Sequence, residues 1–409
     1  MKRTLTAQRR LVYLFTLITE FSSFLLIFTV SRALAEGGVT LTTMGVVGGG
    51  LSVWIGGSSI ISGRCADRFG RRRLMAMGTV VLFVAAAGLI GCREIGSEGP
   101  LYFSIYWLAG LAMGMVYPSS YAWLSASAEL EAQQHVRGVG RTIIVFALMW
   151  NLGLVSGQIV GGWSFRWLSE LPLYIAGGLA LLNLILLTHV ESAPQCEKAL
   201  STEVESEELR QKRKFAGSFV KLAWLSNLGG AFSMSMVIHL FPKLAVHLGV
   251  PSEQHGMILA VTRGVVISVY FGLYFTHFWH LRLVPAVVSQ LLAVIGLLLI
   301  SYSSGVASLM LGLVFLAQLL GFNYFASLYY ATLATTHERR GTASGIHEAT
   351  LALGFAAGSF LGGIVGDVGG LQMPYRLGAA VIVALVLLQV MIYWRQIRNA
   401  KVARTLRVP

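Results

Sequence analysis

Long apolar runs make up most of this chain, and they constrain its fold more than any other feature. Each run is about 20 residues or longer, enough to cross a hydrocarbon core of about 30 Å as an α-helix. A helix also satisfies its own backbone hydrogen bonds inside lipid. The sequence predicts twelve spans, at about 11–33, 43–62, 74–92, 101–124, 139–163, 172–190, 218–247, 254–276, 284–301, 305–334, 343–366 and 373–395.

The composition agrees with a membrane protein and excludes other classes. Hydrophobic residues make up 55% of the chain and charged residues only 12%, about half the charged share of a soluble globular protein. A disordered chain needs the opposite balance, and the alternating pattern of a membrane β-barrel is absent. The expected class is an all-α membrane protein with 12 transmembrane helices.

The positive charge is distributed unevenly along the chain. The net charge is +13, and most of the 31 lysines and arginines lie at the two termini, in alternate loops and in the central polar segment. The positive-inside rule then places both termini in the cytoplasm. We interpret the excess as an orientation signal and not as a nucleic-acid surface, which would need a basic patch on a folded soluble domain. A multi-pass protein of the plasma membrane, such as a bacterial inner membrane, is expected.

The chain contains an internal duplication. Four glycines of the fifth span recur with the same spacing in the eleventh: Gly153, Gly157, Gly161 and Gly162 match Gly354, Gly358, Gly362 and Gly363. Arg32 and Gly38-Val39 likewise match Lys243 and Gly249-Val250. We predict two pseudo-symmetric six-helix halves, 1–190 and 218–409 with a cytoplasmic tail, joined by a cytoplasmic linker at 191–217. Substrate sites of such folds lie between the halves, near the middle of the membrane.

The loop after the second span carries the sharpest motif, Gly63-Arg64-Cys65-Ala66-Asp67-Arg68-Phe69-Gly70-Arg71-Arg72-Arg73. An ordinary positive-inside loop needs arginines but not this spacing. With this motif and its two halves of six spans, the sequence resembles the major facilitator superfamily of transporters. The resemblance implies alternating access by rocking of the halves. It also implies a gating loop in which Asp67 and Arg71 form a latch, supported by Arg68, Arg72 and Arg73, with Gly63 and Gly70 at its turns.

The glycines of the fifth span resemble the motif of the 12-span drug/proton antiporters of that superfamily. Gln158 replaces the proline of that motif, and the fourth span lacks the arginine that those antiporters carry. The other interpretation of these glycines is close helix packing. The expected function is proton-coupled efflux of a small organic solute. The alternatives are an importer of an organic anion or sugar by symport, and a non-transporting sensor on the same fold.

Charged residues inside the spans are functional candidates. Glu20 lies near the middle of the first span, while Glu348 and Arg263 belong to the eleventh and eighth. We expect these three residues to couple protons or substrate, although Glu20 could instead bond passively to neighbouring spans. Arg32 and Lys243, near the outer ends of equivalent spans, are expected to extend to the membrane interface.

Aromatic and amide side chains are candidates for lining a solute cavity. Ordinary helix packing is the alternative explanation for the aromatic residues. The candidates are Tyr106, Tyr117, Tyr121, Asn151, Gln158, Asn323 and Tyr324.

The sequence contains no nucleotide-binding motif and no metal-ligand spacing among its three cysteines. We therefore expect no enzyme, no cofactor and no metal. The expected partners are a small-molecule substrate, protons and the lipid bilayer, with no nucleic acid, and the protein is expected to be a monomer.

Overall fold

A computed structural model describes residues 5–96, 99–132, 138–192, 207–334 and 340–397. Within these ranges the chain forms α-helices and one terminal π-helical segment, with no strand. The helices are α1 Leu5–Glu36, α2 Leu41–Phe69, α3 Arg71–Glu94, α4 Pro100–Ala132, α5 Gly138–Trp167, α6 Leu171–Thr188, α7 Glu207–His239, α8 Phe241–His247, α9 Ser252–Phe275, α10 Leu283–Ser301, α11 Val306–Ala334, α12 Arg340–Gly369 and α13 Met373–Ile392, followed by the π-helical segment Tyr393–Ile397.

The predicted all-α membrane fold is confirmed. Eleven helices of the described ranges are long and apolar enough to cross a membrane, and the bent pair α7 and α8 provides a twelfth span. The pair bends by 42°. Pro242 lies in the first turn of α8 and has no backbone N–H, so a continuous helix would lose a hydrogen bond at this point. Helix α7 begins at Glu207, inside the segment predicted as a linker.

Helices α1–α6 pack on one another, and so do α7–α13, with an equivalent arrangement in each half. The glycine stripes explain two of the close contacts within the halves. A Cβ at Gly157 of α5 would lie 2.8 Å from the Cβ of Phe24 in α1. In the second half, a Cβ at Gly354 of α12 would lie 2.7 Å from the carbonyl oxygen of Leu228 in α7. Small residues therefore let these helix backbones approach closely.

The two halves meet through α2 with α12 and through α5 with α9. The last glycine of each stripe lies in these contacts. A Cβ at Gly162 would lie 2.6 Å from the carbonyl oxygen of Ser252, and one at Gly363 would lie 2.5 Å from that of Leu41. Both contacts lie away from the chain termini, at what we call the distal face. The face on which α1 begins and α13 ends is called the terminal face.

Two reciprocal hydrogen bonds join the halves at the distal face. Arg32 of α1 donates from Nη1 to the carbonyl oxygen of Val250 at 3.0 Å. Lys243 of α8 donates from Nζ to the carbonyl oxygen of Val39. We call these four residues the distal clasp. Donors and acceptors occupy equivalent positions of the internal duplication, so the clasp has the two-fold pseudo-symmetry of the fold.

The local backbone presents these carbonyl groups in the same way in both halves. Gly38 has φ 74° and Gly249 has φ 69°, a left-handed conformation that glycine adopts without steric cost. The prediction that Arg32 extends to the membrane interface is wrong. Its side chain is buried, with 5% of the residue exposed, and its Nε lies 2.7 Å from Glu36 Oε1.

A second pair of polar links closes the same face. Arg166 Nη1 lies 2.6 Å from Glu253 Oε1, which joins α5 to α9. The carboxylate of Asp367 accepts the backbone N–H groups of Leu41 and Thr42 at 2.8 Å each, which joins α12 to the first turn of α2. The distal ends of the halves are therefore held together by glycine contacts, by the distal clasp and by these polar links.

Candidate functional site

A cavity of about 150 Å³ lies between the two halves, and helices of both halves line it. Its wall is mainly apolar and aromatic, with few polar side chains. The aromatic members are Phe24, Tyr117, Trp150, Tyr270, Tyr324 and Phe355, and the polar and charged members are Ser52, Asn151, His239, Arg263 and Glu348. A mostly apolar cavity with a few placed polar groups is the usual form of a small-molecule site.

The aromatic rings form a continuous wall that crosses from one half to the other. The Trp150 ring of α5 lies 4.8 Å from Tyr117 and 6.1 Å from Tyr324, measured between centroids. Tyr324 also lies 6.3 Å from Tyr270. A smaller cavity beside this wall is lined by Tyr121 and, like the main one, by Glu348. The wall provides a surface on which a flat apolar group can stack.

Among the described residues, Arg263 of α9 is the cation of the cavity lining. Only 6% of the residue is exposed, and its Nε is buried without a hydrogen-bond acceptor among the described residues. The guanidinium carbon lies 5.9 Å from the ring centroid of Phe24, within cation–π range. The predicted candidate is thus a buried positive charge on the wall of a cavity.

Glu348 of α12 is the carboxylate of the cavity lining, and it is only partly buried. The neighbouring His347 faces elsewhere: its Nδ1 lies 2.7 Å from Ser327 Oγ and 3.2 Å from Asn227 Nδ2. Adjacent residues on a helix point in different directions, as the sequence indicated. Glu348 therefore faces the solute space, whereas His347 belongs to a polar network that joins α7, α11 and α12.

Glu20 of α1 lies beside the cavity and outside its lining. The residue is 1% exposed, and its carboxylate oxygens have no hydrogen-bond partner among the described residues. Its Cβ packs on Gly153 of α5. Three residues of the cavity lining, Tyr117, Arg263 and Glu348, are within electrostatic range of its carboxyl group. A buried carboxyl group without a partner is an uncommon feature of a folded protein.

Three cavity candidates line neither cavity. Tyr106 is completely buried among the helices of the first half. Gln158 packs on α9, where a Cβ at Gly256 would overlap its carbonyl oxygen. Asn323 donates from Nδ2 to the carbonyl oxygen of Ser226 at 3.0 Å. Each lies on a helix face that packs against another helix, which for Tyr106 is the packing alternative.

Sequence reasoning missed Trp150, Tyr270 and His239 as lining residues. His239 ends α7 at the bend, and its ring packs on Gly48 of α2, where a Cβ would overlap it. The nearby Pro242 was the available signal, because a helix break in a span often borders a binding site. Trp150 directly precedes Asn151, which was a predicted cavity residue. That both side chains face the cavity depends on how α5 is rotated about its axis, which only the structure shows.

The gating loop forms a tight turn between α2 and α3. Gly70 has φ 89° and ends α2, and α3 begins at Arg71. Arg71 Nη1 donates to the carbonyl oxygen of Ala122 at 2.8 Å, and Arg72 Nε donates to that of Leu187 at 3.1 Å. These bonds attach the loop to α4 and α6 of its own half. The side chains of Asp67 and Arg68 lie outside the described residues, and Gly63 is an open position within α2.

Comparison with known proteins agrees with this architecture. Residues 12–335 and 223–407 match the sequence profile of the Major Facilitator Superfamily. The chain is similar to Multidrug resistance protein 1 of Bacillus subtilis (strain 168), with 24% identity over 321 residues that cover 76% of this chain and 77% of the relative.

Solved structures agree in fold at low sequence identity. The D-xylose-proton symporter has a TM-score of 0.72 and 15% identity, over 94% of this chain and 97% of the symporter. The human organic anion transporter MFSD10 has a TM-score of 0.66 and 16% identity, over 95% of this chain and 100% of that chain. These similarities are those of a membrane transporter and not of an enzyme. The chain belongs to the major facilitator superfamily.

Proposed function

We propose that this transporter moves a small amphipathic organic solute through the cavity between its halves, coupled to protons and in the direction of efflux. One observation carries the proposal: the cavity between the halves combines an aromatic wall with the carboxylate of Glu348, and the buried carboxyl group of Glu20 lies within electrostatic range of Glu348. The apolar wall suits the solute, and the carboxyl groups suit the proton.

Alternating access explains why the distal contacts matter. A cavity between two halves opens to one side of the membrane at a time when the halves rock around it. The distal face is closed by Gly162, Gly363 and the distal clasp, and these contacts must separate for the cavity to open there. The volume of about 150 Å³ corresponds to a solute of roughly benzene size.

Proton coupling rests on the two carboxyl groups. A charged carboxylate within a membrane span is costly, so such residues are usually functional. A proton on Glu348 removes the negative charge of the cavity lining and so changes which solute binds there. Competition between proton and solute at Glu348 would let an inward proton gradient drive the solute out. The similarity to a protein named for multidrug resistance supports the efflux direction.

The orientation is part of the proposal. The positive-inside rule assigns the terminal face to the cytoplasm of a plasma membrane, and the distal face to the outside. The gating loop then lies on the cytoplasmic side. There Asp67 and Arg71 are proposed to act as a latch, and the attachment of Arg71 and Arg72 to α4 and α6 would hold the loop in place.

Transport in proteoliposomes with an imposed pH gradient tests the proposal. A library of fluorescent and radiolabelled amphipathic solutes identifies a transported probe. We expect its flux to follow the proton gradient as exchange, and Glu348→Gln to abolish the gradient-driven flux while downhill flux continues. Glu94→Gln, at an exposed carboxylate at the end of α3, is the matched control and should transport as the wild type does.

Two outcomes contradict the proposal. Unchanged gradient dependence in Glu348→Gln would exclude that residue as the coupling group, and the same test with Glu20→Gln examines the second carboxyl group. The absence of flux for every solute would contradict transport itself.

One observation favours a second function, the import of an organic anion by proton symport. Arg263 places a positive charge on the cavity wall, which suits an anionic solute. The same experiment separates the two functions, because protons and solute move together in symport and in opposite directions in exchange.

A further inference from the structure

We infer that Arg263 is an anion-binding residue, and that the solute held in this cavity carries a carboxylate or a similar anionic group on an aromatic or apolar body. The inference deepens the second of the two proposed functions, since it treats the cavity as the site of an anionic solute. Binding of an anion at Arg263 does not itself require proton coupling, but it favours symport over exchange, because a proton on Glu348 removes a negative charge that repels the anion.

The first argument is the unsatisfied state of the Arg263 side chain. A guanidinium group carries five N–H donors in a planar fork and no acceptor. The Nε of Arg263 is buried without an acceptor, and the side chain forms no ion pair among the described residues. Buried charges in proteins are normally paired, because burying an unpaired ion costs several kcal/mol. The residue therefore has unused capacity to bind a negative group.

The second argument is the position of that capacity. Arg263 lines the cavity, and Phe24 covers one side of its guanidinium group at 5.9 Å. Helix α9 packs closely on α5 while the distal face is closed, since a Cβ at Gly256 would lie 3.1 Å from the Cα of Gly162. The charge is carried on a transmembrane helix, which positions a side chain more precisely than a loop does. A planar fork of this kind suits a carboxylate, which it can bind through two parallel hydrogen bonds.

The third argument is that the nearby carboxyl groups leave Arg263 available. Glu20 is within electrostatic range of the guanidinium, yet neither of its oxygens has a hydrogen-bond partner. Glu348 lines the same cavity and forms no ion pair with Arg263. Because no described carboxylate contacts the guanidinium, its donors remain free for a group that enters from the cavity.

The fourth argument concerns the rest of the solute. Trp150, Tyr270 and Tyr324 line the cavity together with Arg263, so an anion bound at the guanidinium has aromatic rings around its body. Aromatic rings prefer offset-stacked or edge-to-face contacts with such a body. The volume of about 150 Å³ sets the size to roughly one aromatic ring. Benzoate has this size and charge, and benzamide is its uncharged counterpart of nearly the same shape.

Ligand titration of the purified full-length protein in lipid nanodiscs tests the inference. Binding of benzoate, benzamide and benzylamine is followed by tryptophan fluorescence, to which Trp150 contributes from inside the cavity. We expect the wild type to bind benzoate about 10- to 100-fold more tightly than benzamide, the range of a hydrogen bond to a charged group. Benzylamine, which is a cation, should bind more weakly than benzamide.

Variants assign the preference to Arg263. Arg263→Gln should bind benzoate and benzamide equally, and Arg263→Lys should keep only part of the preference because it lacks the fork. The matched control is Arg376→Gln. Arg376 is bonded to Ser301 Oγ at 2.8 Å and lies 4.8 Å from the Tyr302 ring, outside the cavity lining, so its loss should leave the benzoate preference unchanged.

The inference is overturned if the wild type binds benzoate no more tightly than benzamide, if it binds neither, or if the preference survives Arg263→Gln. Benzamide binding shows that the variant retains its cavity. If Arg263→Gln does not fold, the comparison within the wild type and with Arg263→Lys decides. A benzoate preference without proton-coupled flux would contradict the proposed transport function and leave the anion site standing. Proton-coupled flux without a benzoate preference would overturn the anion site and leave the transport function standing.

Discussion

Gly162 and Gly363 lie where the two halves pack closely on the distal face, and an alanine at either position should open that face. A Cβ at Gly162 lies 2.6 Å from the Ser252 carbonyl oxygen and 3.2 Å from the Cα atoms of Glu253 and Gly256. Ordinary contact begins at 3.4 Å, so α5 and α9 must separate by about 0.8 Å. All three contacts are with backbone atoms, so no flexible side chain can move aside.

The expected magnitude follows from this overlap. Overpacking of a well-packed contact costs about 1–3 kcal/mol. The cost applies only while the distal face is closed, so the ratio of open to closed molecules should rise about 5- to 150-fold. The gain in helix propensity from glycine to alanine, about 1 kcal/mol, is present in both conformations and cancels.

Double electron–electron resonance between distal spin labels measures this shift. Cysteines at Leu168, which is 51% exposed, and at the exposed Gln254 carry the labels after the native cysteines are replaced. Gly162→Ala should add a population at longer distance. Gly264→Ala on α9 is the matched control, because nothing lies within 4 Å of a Cβ there. Identical distance distributions for the two variants would refute the reasoning.

Two further predictions concern the distal clasp and the α9–α10 loop. Lys243→Met keeps the length of the side chain but removes the hydrogen bond to the carbonyl oxygen of Val39, which is worth about 1.5–3 kcal/mol for a charged donor. The same spin-label pair should therefore show a larger open population. An unchanged distance distribution would show that the distal clasp does not stabilise the closed conformation. Burial and the neighbouring His277 lower the pKa of His280 below 6.5, and its ring stacks on Tyr329 at 4.5 Å. The unfolded chain then binds more protons than the folded one, so the free energy of unfolding should rise as pH increases through the range below 6.5. His280→Asn should reduce this rise, measured by thermal unfolding between pH 5 and pH 7. An identical pH dependence in the variant would contradict the prediction.

The arrangement of the spans could be predicted because it depends on local properties of the chain. Each predicted span coincides with a helix or with the bent pair α7 and α8. The glycine stripes predicted close packing, and α5 packs on α1 at Gly157 as α12 packs on α7 at Gly354. The length of a span, its apolar composition and the spacing of its small residues can be taken from the sequence without knowing which helices pack against it. Lipid imposes the same requirement on every span, namely that it satisfies its own backbone hydrogen bonds.

The site was predicted only in part. Tyr117, Asn151 and Tyr324 line the cavity, but Tyr106 and Gln158 do not, although all five are polar or aromatic residues within spans. In an amphipathic soluble helix, hydrophobic periodicity shows which face is buried. Here almost every face is apolar, because lipid and protein interior make the same demand, so the rotation of each helix leaves little trace in the sequence.

The sequence by itself determined that this chain spans a membrane as two related sets of helices, and that glycines bring certain helices together. Only the tertiary structure decided that the last glycine of each stripe joins the halves, that Arg32 and Lys243 bind the backbone of the opposite half, and that Arg263 and Glu348 line one cavity. The physical reason is that hydropathy acts residue by residue. Contacts between the halves instead depend on helix rotation and on partners far apart along the chain.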